Sequence, residues 1–351
     1  MYDISIPPVD RAAARDTHDR ISQLTKPLGS LGRIEELAEW LAAIHGGPPP
    51  SPYERRAIVV GAADHGVTAE GVSAYPSDVT VQMVGAFIGG FAAINAFARV
   101  ARADVFVANF GVAGDLPIHD RLFDVAIARG TRNFAREAAM PPEHVDAALR
   151  AGMDVFARVR EQFDPQIIAL GDMGIGNTTS AAAIICALTD TAPEDVVGRG
   201  TGIDDETLRR KLAVVEAAVE RVRGSDWKNV ASEVGGYEIV GLAGVLLAAA
   251  RSRIPILLDG FIVGAAALVA RAIAPTAIEY CIAAHRSREA GHATALRSLG
   301  LVPLFDLDLR LGEASGAALA FPLCEAAARM VSEMKTFAEA GVSTAHETIR
   351  A

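Results

Sequence analysis

Residues 167–179 read IIALGDMGIGNTT, and this stretch decides the fold of the chain. Its first four residues are apolar and predict a short buried strand. The alanine- and isoleucine-rich residues 178–188 follow and predict a helix. Glycines between a strand and a helix let a ligand approach the backbone, and the positive helix end attracts anions. The stretch therefore predicts a phosphate site, although a tight turn that binds nothing has the same pattern.

Two known phosphate motifs do not fit this loop. A P-loop requires Gly, four residues and then Gly-Lys-Ser/Thr, which the sequence lacks. The dinucleotide fingerprint requires a third glycine where Thr179 stands. We therefore expect an anion loop of another kind. It is made of Gly174, Ile175, Gly176, Asn177, Thr178 and Thr179.

Short apolar segments alternate with helical segments along most of the chain. The candidate strands are residues 57–61, 104–108, 123–127, 166–170, 254–258, 277–282 and 301–305. The candidate helices are residues 77–101, 142–161, 178–188, 204–222, 236–250, 261–274 and 288–299. This alternation predicts an α/β fold with a Rossmann-like parallel sheet and helices on both of its faces.

The two ends of the chain have helical patterns without strands. Residues 10–46 and 313–340 are helical by pattern, and Pro322 is expected to bend or break the second region. Residues 46–52 are rich in Gly and Pro and are the best linker candidate. We predict a small helical domain of residues 1–50 and 313–351, and a large Rossmann-like domain of residues 51–312.

Charge and composition exclude several classes of protein. The 351 residues carry a formal net charge of −10, and no lysine-rich run occurs. Nucleic acids and anionic membranes attract basic surfaces, so we expect neither as a partner. Hydrophobic residues make up 51% of the chain, and the mean hydropathy is +0.26. These values predict helices buried on several sides and a subunit interface, with a large solitary core as the alternative.

Three features bear on the compartment. Cys186, Cys281 and Cys324 lie far apart in apolar contexts and are expected to be buried thiols in a reducing environment. The first ten residues do not resemble a signal peptide. The longest apolar runs, residues 239–250 and 261–270, are shorter than a membrane-spanning helix. We predict a cytoplasmic protein that does not associate with a membrane.

Ligands of open α/β sheets bind beyond the carboxyl ends of the strands. The residues at these positions are rich in glycine and polar side chains: residues 62–66, 109–115, 171–174, 259–260, 285–287 and 306–313. Glu313 opens the last helical region and is either a general base in a cleft or a helix-start charge that faces water. Cys281, His285 and His292 lack convincing zinc spacing, so no metal is expected.

Seven motifs occur in one order along nearly the whole chain. They are residues 24–32 (LTKPLGSLG), 64–67 (DHGV), 71–76 (GVSAYP), 171–179 (GDMGIGNTT), 198–202 (GRGTG), 258–261 (LDGF) and 309–316 (LRLGEASG). On these motifs the chain resembles the nicotinate-nucleotide–dimethylbenzimidazole phosphoribosyltransferase family of the cobalamin pathway. The resemblance implies that a benzimidazole displaces nicotinate from nicotinate mononucleotide, giving an α-ribazole 5′-phosphate. It also implies a homodimer that needs neither cofactor nor metal, with a Rossmann-like large domain and a small helical domain.

The resemblance also assigns roles to individual residues. It implies that Glu313 is the general base that takes the benzimidazole proton. It assigns the donor phosphate and nucleotide to the anion loop and to Asp172, Gly200, Lys211, Asp259 and Ser287. It assigns the acceptor to Ser73, Tyr75, Gln82, Met173 and Leu311. The chain departs from the family at Asp172, where the family loop usually has a glutamate whose side chain is one methylene longer.

Two other functions fit the same sequence. One is an enzyme with the same fold and donor that uses another acceptor, such as adenine, a different benzimidazole or a phenol. The other is a nucleotide-binding sensor that performs no chemistry. Release of nicotinate in the presence of an acceptor distinguishes an enzyme from a sensor, and the identity of the product distinguishes the acceptors.

Overall fold

One parallel sheet organises the structure, a computed structural model that describes residues 4–200 and 202–343. Its strands are β1 (Arg56–Ala63), β2 (Asp104–Gly111), β3 (Leu122–Asp124), β4 (Ile167–Met173), β5 (Ile256–Leu258) and β6 (Cys281–Ala283). All neighbouring strands pair in parallel, in the order β3-β2-β1-β4-β5-β6. Thr201 of the GRGTG motif lies outside the described residues, as do residues 1–3 and 344–351 of the predicted small domain.

The strand order confirms the predicted fold class. Successive connections run outward from β1 to β3 and then return to place β4 on the other side of β1, as in the Rossmann arrangement. All eight residues of β1 are buried, which explains why its sequence does not alternate between apolar and polar residues. Strands β1, β4, β5 and β6 are almost completely buried, so both faces of the sheet are covered. Along the chain, helices lie between all consecutive strands except β2 and β3.

The described residues form fourteen α-helices and two short 3₁₀ helices. The α-helices are α1 (Arg11–Gln23), α2 (Arg33–His45), α3 (Val79–Gly89), α4 (Ala93–Ala101), α5 (Pro142–Phe163), α6 (Asn177–Thr189), α7 (Pro193–Val196), α8 (Asp205–Val222), α9 (Trp227–Val234), α10 (Tyr237–Arg251), α11 (Phe261–Ile273), α12 (Ala290–Leu299), α13 (Ser315–Glu333) and α14 (Phe337–Ala340). The 3₁₀ helices are Gly66–Glu70 and Pro275–Tyr280.

The chain divides into two compact units. The larger unit consists of Met1–Pro7 and Arg55–Ala320, and the smaller unit consists of Pro8–Glu54 and Phe321–Ala351. The boundary near the C-terminus falls inside α13, whereas the sequence predicts it at residue 313. The assignment of functional domains to these units stays a prediction.

Over its described residues, the smaller unit contains α1, α2, α14 and most of α13. Asp10 caps α1, because its carboxylate accepts the backbone N–H groups of Ala12 and Ala13. The guanidinium of Arg20 donates to the carbonyl of Val331 at 2.9 Å, which joins α1 to the end of α13. The first contact fixes the start of α1, and the second links α1 to a helix that is 311 residues away in the sequence.

Helix α10 lies in the core of the larger unit and packs closely on α5. Thirteen of its fifteen residues are buried. Both helices carry glycine at the crossing: a Cβ atom on Gly152 would lie 1.9 Å from the carbonyl oxygen of Gly241. The close approach of the two backbones therefore depends on the absence of a side chain at this crossing.

Three details of the sequence-based assignment were wrong. Residues 301–305 do not form a strand, and only Phe305 makes an isolated bridge, because Pro303 lacks the N–H group that a strand interior requires. Residues 77–101 form two helices, since the first ends at Gly90 in the left-handed conformation. Residues 277–280 of the predicted strand 277–282 belong to the 3₁₀ helix Pro275–Tyr280, and β6 begins only at Cys281. Helix α13 runs through Pro322 without a break, so a bend remains the predicted effect of this proline.

One stretch of the described residues is long and apolar enough to cross a membrane. This stretch is Val79–Ala101, and 39% of its most apolar 18-residue window is buried. A core helix passes the same test of length and composition, and the structure divides this stretch into α3 and α4. The stretch is therefore weak support for a membrane span.

Replacement of Gly152 by alanine tests the crossing of α5 and α10. The added methyl group would overlap the backbone of α10, so we expect a loss of about 1–3 kcal/mol in unfolding free energy. The control is Gly85→Ala in α3, where nothing lies within 4 Å of the new Cβ atom. It should stabilise the protein by about 0.5–1 kcal/mol. Urea unfolding measures the change in unfolding free energy of each variant. Similar changes for Gly152→Ala and Gly85→Ala would contradict the proposed packing.

Candidate active site

A pocket of about 540 Å³ lies beyond the carboxyl ends of β4, β5 and β6. Ligands of this fold bind where the strand order reverses, and here the reversal falls between β1 and β4. The pocket brings together many of the predicted site residues. They are Tyr75, Asp172, Met173, Gly174, Ile175, Asn177, Thr178, Gly200, Ser287, Leu311 and Glu313.

The predicted anion loop, residues 174–179, connects β4 to α6 and forms one wall of the pocket. Gly176 has φ +94°, a conformation that favours glycine, and it directly precedes the first turn of α6. The side-chain hydroxyl of Thr80 accepts the N–H of Ile175 at 3.1 Å and fixes the start of the loop. Thr179 is fully buried behind the helix start. The positive end of α6 therefore faces a pocket of suitable size for a phosphorylated ligand.

Lys211 lies behind the anion loop instead of lining the pocket. Its ammonium group donates to the hydroxyl of Thr178 at 2.7 Å and to the carbonyl of Gly198 at 3.2 Å. Burial lowers the pKa of Lys211 to about 8, while the carboxylate of Glu289 acts in the opposite direction. The side chain is thus mostly protonated at neutral pH and places a positive charge one hydroxyl away from the pocket.

Glu313 enters the pocket from an unusual turn. Gly312, Glu313 and Ala314 have φ values of 84°, 63° and 65°, so three successive residues are left-handed. The N–H of Glu313 donates to the carbonyl of Asp172 at 3.2 Å, which ties the turn to the end of β4. The carboxyl group is buried, and its Oε2 has no hydrogen-bond partner among the described residues.

The surroundings of Glu313 favour its protonated form. Burial raises the pKa of this carboxyl group, and the negative charge of Asp259 also raises it. A hydrogen bond from the backbone of Ile94, at the start of α4, acts in the opposite direction. A carboxylate with a raised pKa is a stronger base, so these surroundings favour proton transfer to Glu313.

Asp172 lies at the end of β4 and is buried beside the same turn. Its Oδ2 accepts the side-chain amide of Asn177 at 2.9 Å. Burial raises the pKa of Asp172 well above its ordinary value, as do the nearby carboxyl groups of Asp259, Glu238 and Glu313. The Asn177 hydrogen bond only partly offsets these effects. Asp172 is thus expected to hold its proton to a higher pH than an exposed aspartate.

Two further predicted nucleotide residues, Asp259 and Ser287, belong to buried hydrogen-bond networks. Asp259 accepts the N–H of Ala317 at 2.9 Å and does not line the pocket. Ser287 lines the pocket, and its N–H donates to the ring Nδ1 of His292 at 2.8 Å. Burial lowers the pKa of His292 to about 3, so its neutral ring can accept this hydrogen bond.

The structure places three of the five predicted acceptor residues in the pocket and two outside it. Tyr75, Met173 and Leu311 line the pocket, with Tyr75 and Leu311 more than half exposed. Ser73 does not line it, and its hydroxyl accepts the N–H of Tyr75 at 3.3 Å. Gln82 is exposed and lines a separate pocket of about 340 Å³ with Asp64 and Asp78.

Nine lining residues had no individual role predicted from the sequence, although Gly260, His285, Arg310 and Gly312 belong to segments predicted to lie at the ligand side of the sheet. The nine are Val79, Met83, Gly260, Phe261, Ile262, His285, Glu289, Arg310 and Gly312. Val79 and Met83 lie four residues apart on one face of α3, so helical spacing links these two, whereas Tyr75 precedes the helix. Arg310 donates to the carbonyl of Gly200 at 2.9 Å and contributes a guanidinium group to the pocket.

No group of three or more His, Cys, Asp or Glu side chains in residues 4–200 and 202–343 is arranged to hold a metal ion. Asp259 and His285 lie close together, with 3.4 Å between Oδ1 and Nε2. They form a buried pair in which His285 lines the pocket and Asp259 lies behind it.

Comparison with known proteins identifies relatives over nearly the whole chain. A family model described as phosphoribosyltransferase matches residues 6–342. The nicotinate-nucleotide–dimethylbenzimidazole phosphoribosyltransferase of Chloroflexus aggregans is 49% identical over 346 residues, which cover 97% of each chain. The enzyme of the same name from Thermus thermophilus is 50% identical over 92% of this chain and 96% of its own. A crystal structure of CobT from Thermus thermophilus matches with a TM-score of 0.92 and 49% identity, covering 95% of this chain and all of that one.

The raised pKa of Asp172 predicts the pH dependence of stability in an Asp172→Asn variant. The folded protein keeps the Asp172 proton to a higher pH than the unfolded chain does. The wild type therefore loses stability as pH rises from the ordinary aspartate pKa to the raised one, by up to about 1.4 kcal/mol per pH unit. Asparagine cannot ionise, so the variant should gain stability relative to the wild type over this range.

Urea unfolding at several pH values between about 4 and 8 measures this difference. We expect the two proteins to differ least near the acidic end and the variant to gain most at the upper end. A difference that does not change with pH would contradict the assignment.

Proposed function

The chain belongs to the phosphoribosyltransferase family, and we propose that it transfers the phosphoribosyl group of nicotinate mononucleotide to 5,6-dimethylbenzimidazole. It is a pentosyltransferase that acts on small-molecule substrates and has a cobalamin-related function. The proposed products are nicotinate and α-ribazole 5′-phosphate, with inversion at the anomeric carbon. The names of its relatives support this pair of substrates.

One observation carries the proposal. A buried carboxylate, Glu313, lines the same pocket as a glycine-containing loop at a helix N-terminus. The loop can bind a phosphate, and the carboxylate can accept a proton from a second substrate. The reaction requires these two capacities at one place, because the phosphorylated donor and the proton-bearing acceptor must meet.

The chemistry explains why one carboxylate suffices. A ring nitrogen of the acceptor forms a bond to the anomeric carbon with its lone pair. The bond from that carbon to the pyridinium nitrogen breaks, and its electron pair neutralises the leaving nicotinate ring. Positive charge that develops on the benzimidazole is removed when its other nitrogen gives a proton to Glu313, which later passes it to water.

The donor is proposed to bind with its phosphate on the anion loop. Thr178 would contact the phosphate, and Lys211 would support that contact through its hydrogen bond to Thr178. Arg310, the one Lys or Arg side chain among the described lining residues, adds positive charge to the pocket. Asp172, Gly200 and Ser287 are proposed to surround the ribose and the nicotinate ring, and Asp259 is proposed to act on the nucleotide from outside the pocket lining.

The acceptor is proposed to bind against the wall formed by Tyr75, Met173 and Leu311, with Val79 and Met83 beside them. The methylated ring requires apolar surroundings, and methionine adapts to irregular shapes. Ser73 and Gln82, which belong to the same region as Tyr75 and Met83, stay proposed acceptor contacts. An apolar wall discriminates weakly, by about 10–200-fold per methylene, so related benzimidazoles should also react.

Mass analysis of the products tests the reaction and its rivals. Incubation with nicotinate mononucleotide and dimethylbenzimidazole should release nicotinate and form α-ribazole 5′-phosphate. Parallel reactions with benzimidazole and adenine measure the choice of acceptor. A product formed mainly with adenine would favour the rival acceptor, and no nicotinate release with any base would favour a sensor.

Replacement of Glu313 by glutamine tests the role of the base within the same assay. The variant keeps the shape of the side chain but cannot accept the proton. General base catalysis contributes roughly 10²–10⁴-fold, so kcat should fall by about that factor while the fold is retained. A variant with nearly full activity would refute this role.

Replacement of Gly176 by valine tests the role of the anion loop. The position has φ +94°, and a Cβ atom there would lie 2.8 Å from Cγ2 of Thr68. The variant should distort the loop and weaken binding of nicotinate mononucleotide much more than binding of dimethylbenzimidazole. Calorimetry with each substrate alone compares the two affinities. An equal loss for both substrates in a folded variant would count against the phosphate role.

We also propose that the enzyme is a cytoplasmic homodimer. The high apolar content and the family resemblance support a subunit interface. Light scattering at micromolar concentration should give about twice the chain mass of 36.7 kDa. A single species at the chain mass would exclude a stable dimer.

A further inference from the structure

A buried histidine–glutamate pair lies outside the pocket and has no role in the mechanism above. His65 follows the end of β1, and Glu238 is the second residue of α10. The ring Nε2 of His65 lies 2.7 Å from Oε1 of Glu238, and both side chains are completely buried. The pair therefore joins the sheet to the start of the central helix.

This pair contacts the back of the anion loop. A Cβ atom at Gly174 would lie 3.4 Å from both Oε1 of Glu238 and Cδ2 of His65. A Cβ atom at Gly176 would lie 3.1 Å from Cβ of His65. The two glycines of the loop thus rest directly on the pair, and neither His65 nor Glu238 lines the pocket on the other side.

The pair is a poor device for stability alone. Nδ1 of His65 and Oε2 of Glu238 have no hydrogen-bond partner among the described residues, and both atoms are buried. Burial of charged or polar groups is unfavourable when they are incompletely paired, and well-packed apolar residues often stabilise a protein as well or better. A buried polar pair under a ligand-binding loop is better explained by the geometry that it imposes on the loop.

We propose that His65 and Glu238 are positioning residues that hold the anion loop in its phosphate-binding conformation. Their hydrogen bond fixes the distance between the end of β1 and the start of α10, and the loop after β4 packs against both. The inference rests on the proposed function, because it requires that residues 174–179 bind the donor phosphate. It adds two residues that affect donor binding without touching the donor.

The test compares His65→Gln and Glu238→Gln with a matched control. The control is Tyr237→Phe, which removes the hydrogen bond between the Tyr237 hydroxyl and Nδ1 of His144 at the same helix start. Calorimetry measures the affinity for nicotinate mononucleotide and for dimethylbenzimidazole separately, and thermal unfolding measures stability. Residues that orient metal ligands typically contribute about 10–100-fold to affinity, and we expect an effect of similar size for residues that orient an anion loop.

We expect His65→Gln to weaken donor binding at least about tenfold and to change acceptor binding by less than about threefold. Glu238→Gln keeps an oxygen that accepts from His65, so its loss of donor affinity should be smaller but in the same direction. Tyr237→Phe should lower the unfolding temperature but should not change the affinity for one substrate more than the affinity for the other. If His65→Gln does not fold, Glu238→Gln carries the same comparison.

Two results would overturn the proposal. One is that both Gln variants weaken binding of the two substrates by the same factor, or show the same affinities and unfolding temperature as Tyr237→Phe. Either outcome would assign the pair to stability alone. The other is that Gly176→Val leaves donor binding unchanged, in which case the phosphate role and this inference fail together. If Gly176→Val weakens donor binding while both Gln variants leave it intact, the proposed function stands and only the positioning role is refuted.

Discussion

Strand β1 pairs with β2 along one edge and with β4 along the other, in parallel on both sides. This double pairing forces the chain to leave β1 on one side of the sheet and to return on the other, which opens a crevice at the carboxyl ends. The anion loop follows β4 at that crevice, and His65 follows β1 beside it. Helix α10 can pack beneath them because glycines let it approach α5 closely. The pairing of β1 with β4 therefore sets the position of the groups on which the proposed chemistry depends.

The sequence predicted the fold class and the centre of the site for identifiable reasons. Parallel strands buried on both faces are continuous apolar runs, as in β4, and a glycine-containing loop marks the strand-to-helix turn after it. Local patterns were less informative where tertiary contacts decide the outcome. Residues 301–305 have the composition of a strand, but Pro303 removes one of the donors that pairing requires.

Side-chain environments could not be read from local sequence. Lys211 looks like a solvated helix residue, and only the fold buries it behind Thr178. Gln82 and Met83 are neighbours in α3, yet they line different pockets because adjacent residues on a helix face different directions. Arg310 reaches the pocket through a contact with Gly200, which is more than a hundred residues away in the sequence. Such long-range pairs are absent from any pattern of spacing or composition.

The turn that presents Glu313 combines a proposed catalytic position with unfavourable backbone conformation. Left-handed backbone is unfavourable for residues with a Cβ atom, by about 1–2 kcal/mol each, and both Glu313 and Ala314 adopt it. Glycine at position 313 would relieve that strain but would remove the carboxyl group from the pocket. A search for stabilising substitutions would thus select against the proposed catalytic group at this position. The turn is a local case of the trade-off between activity and stability, because the conformation that aims the side chain is one that the fold alone does not favour.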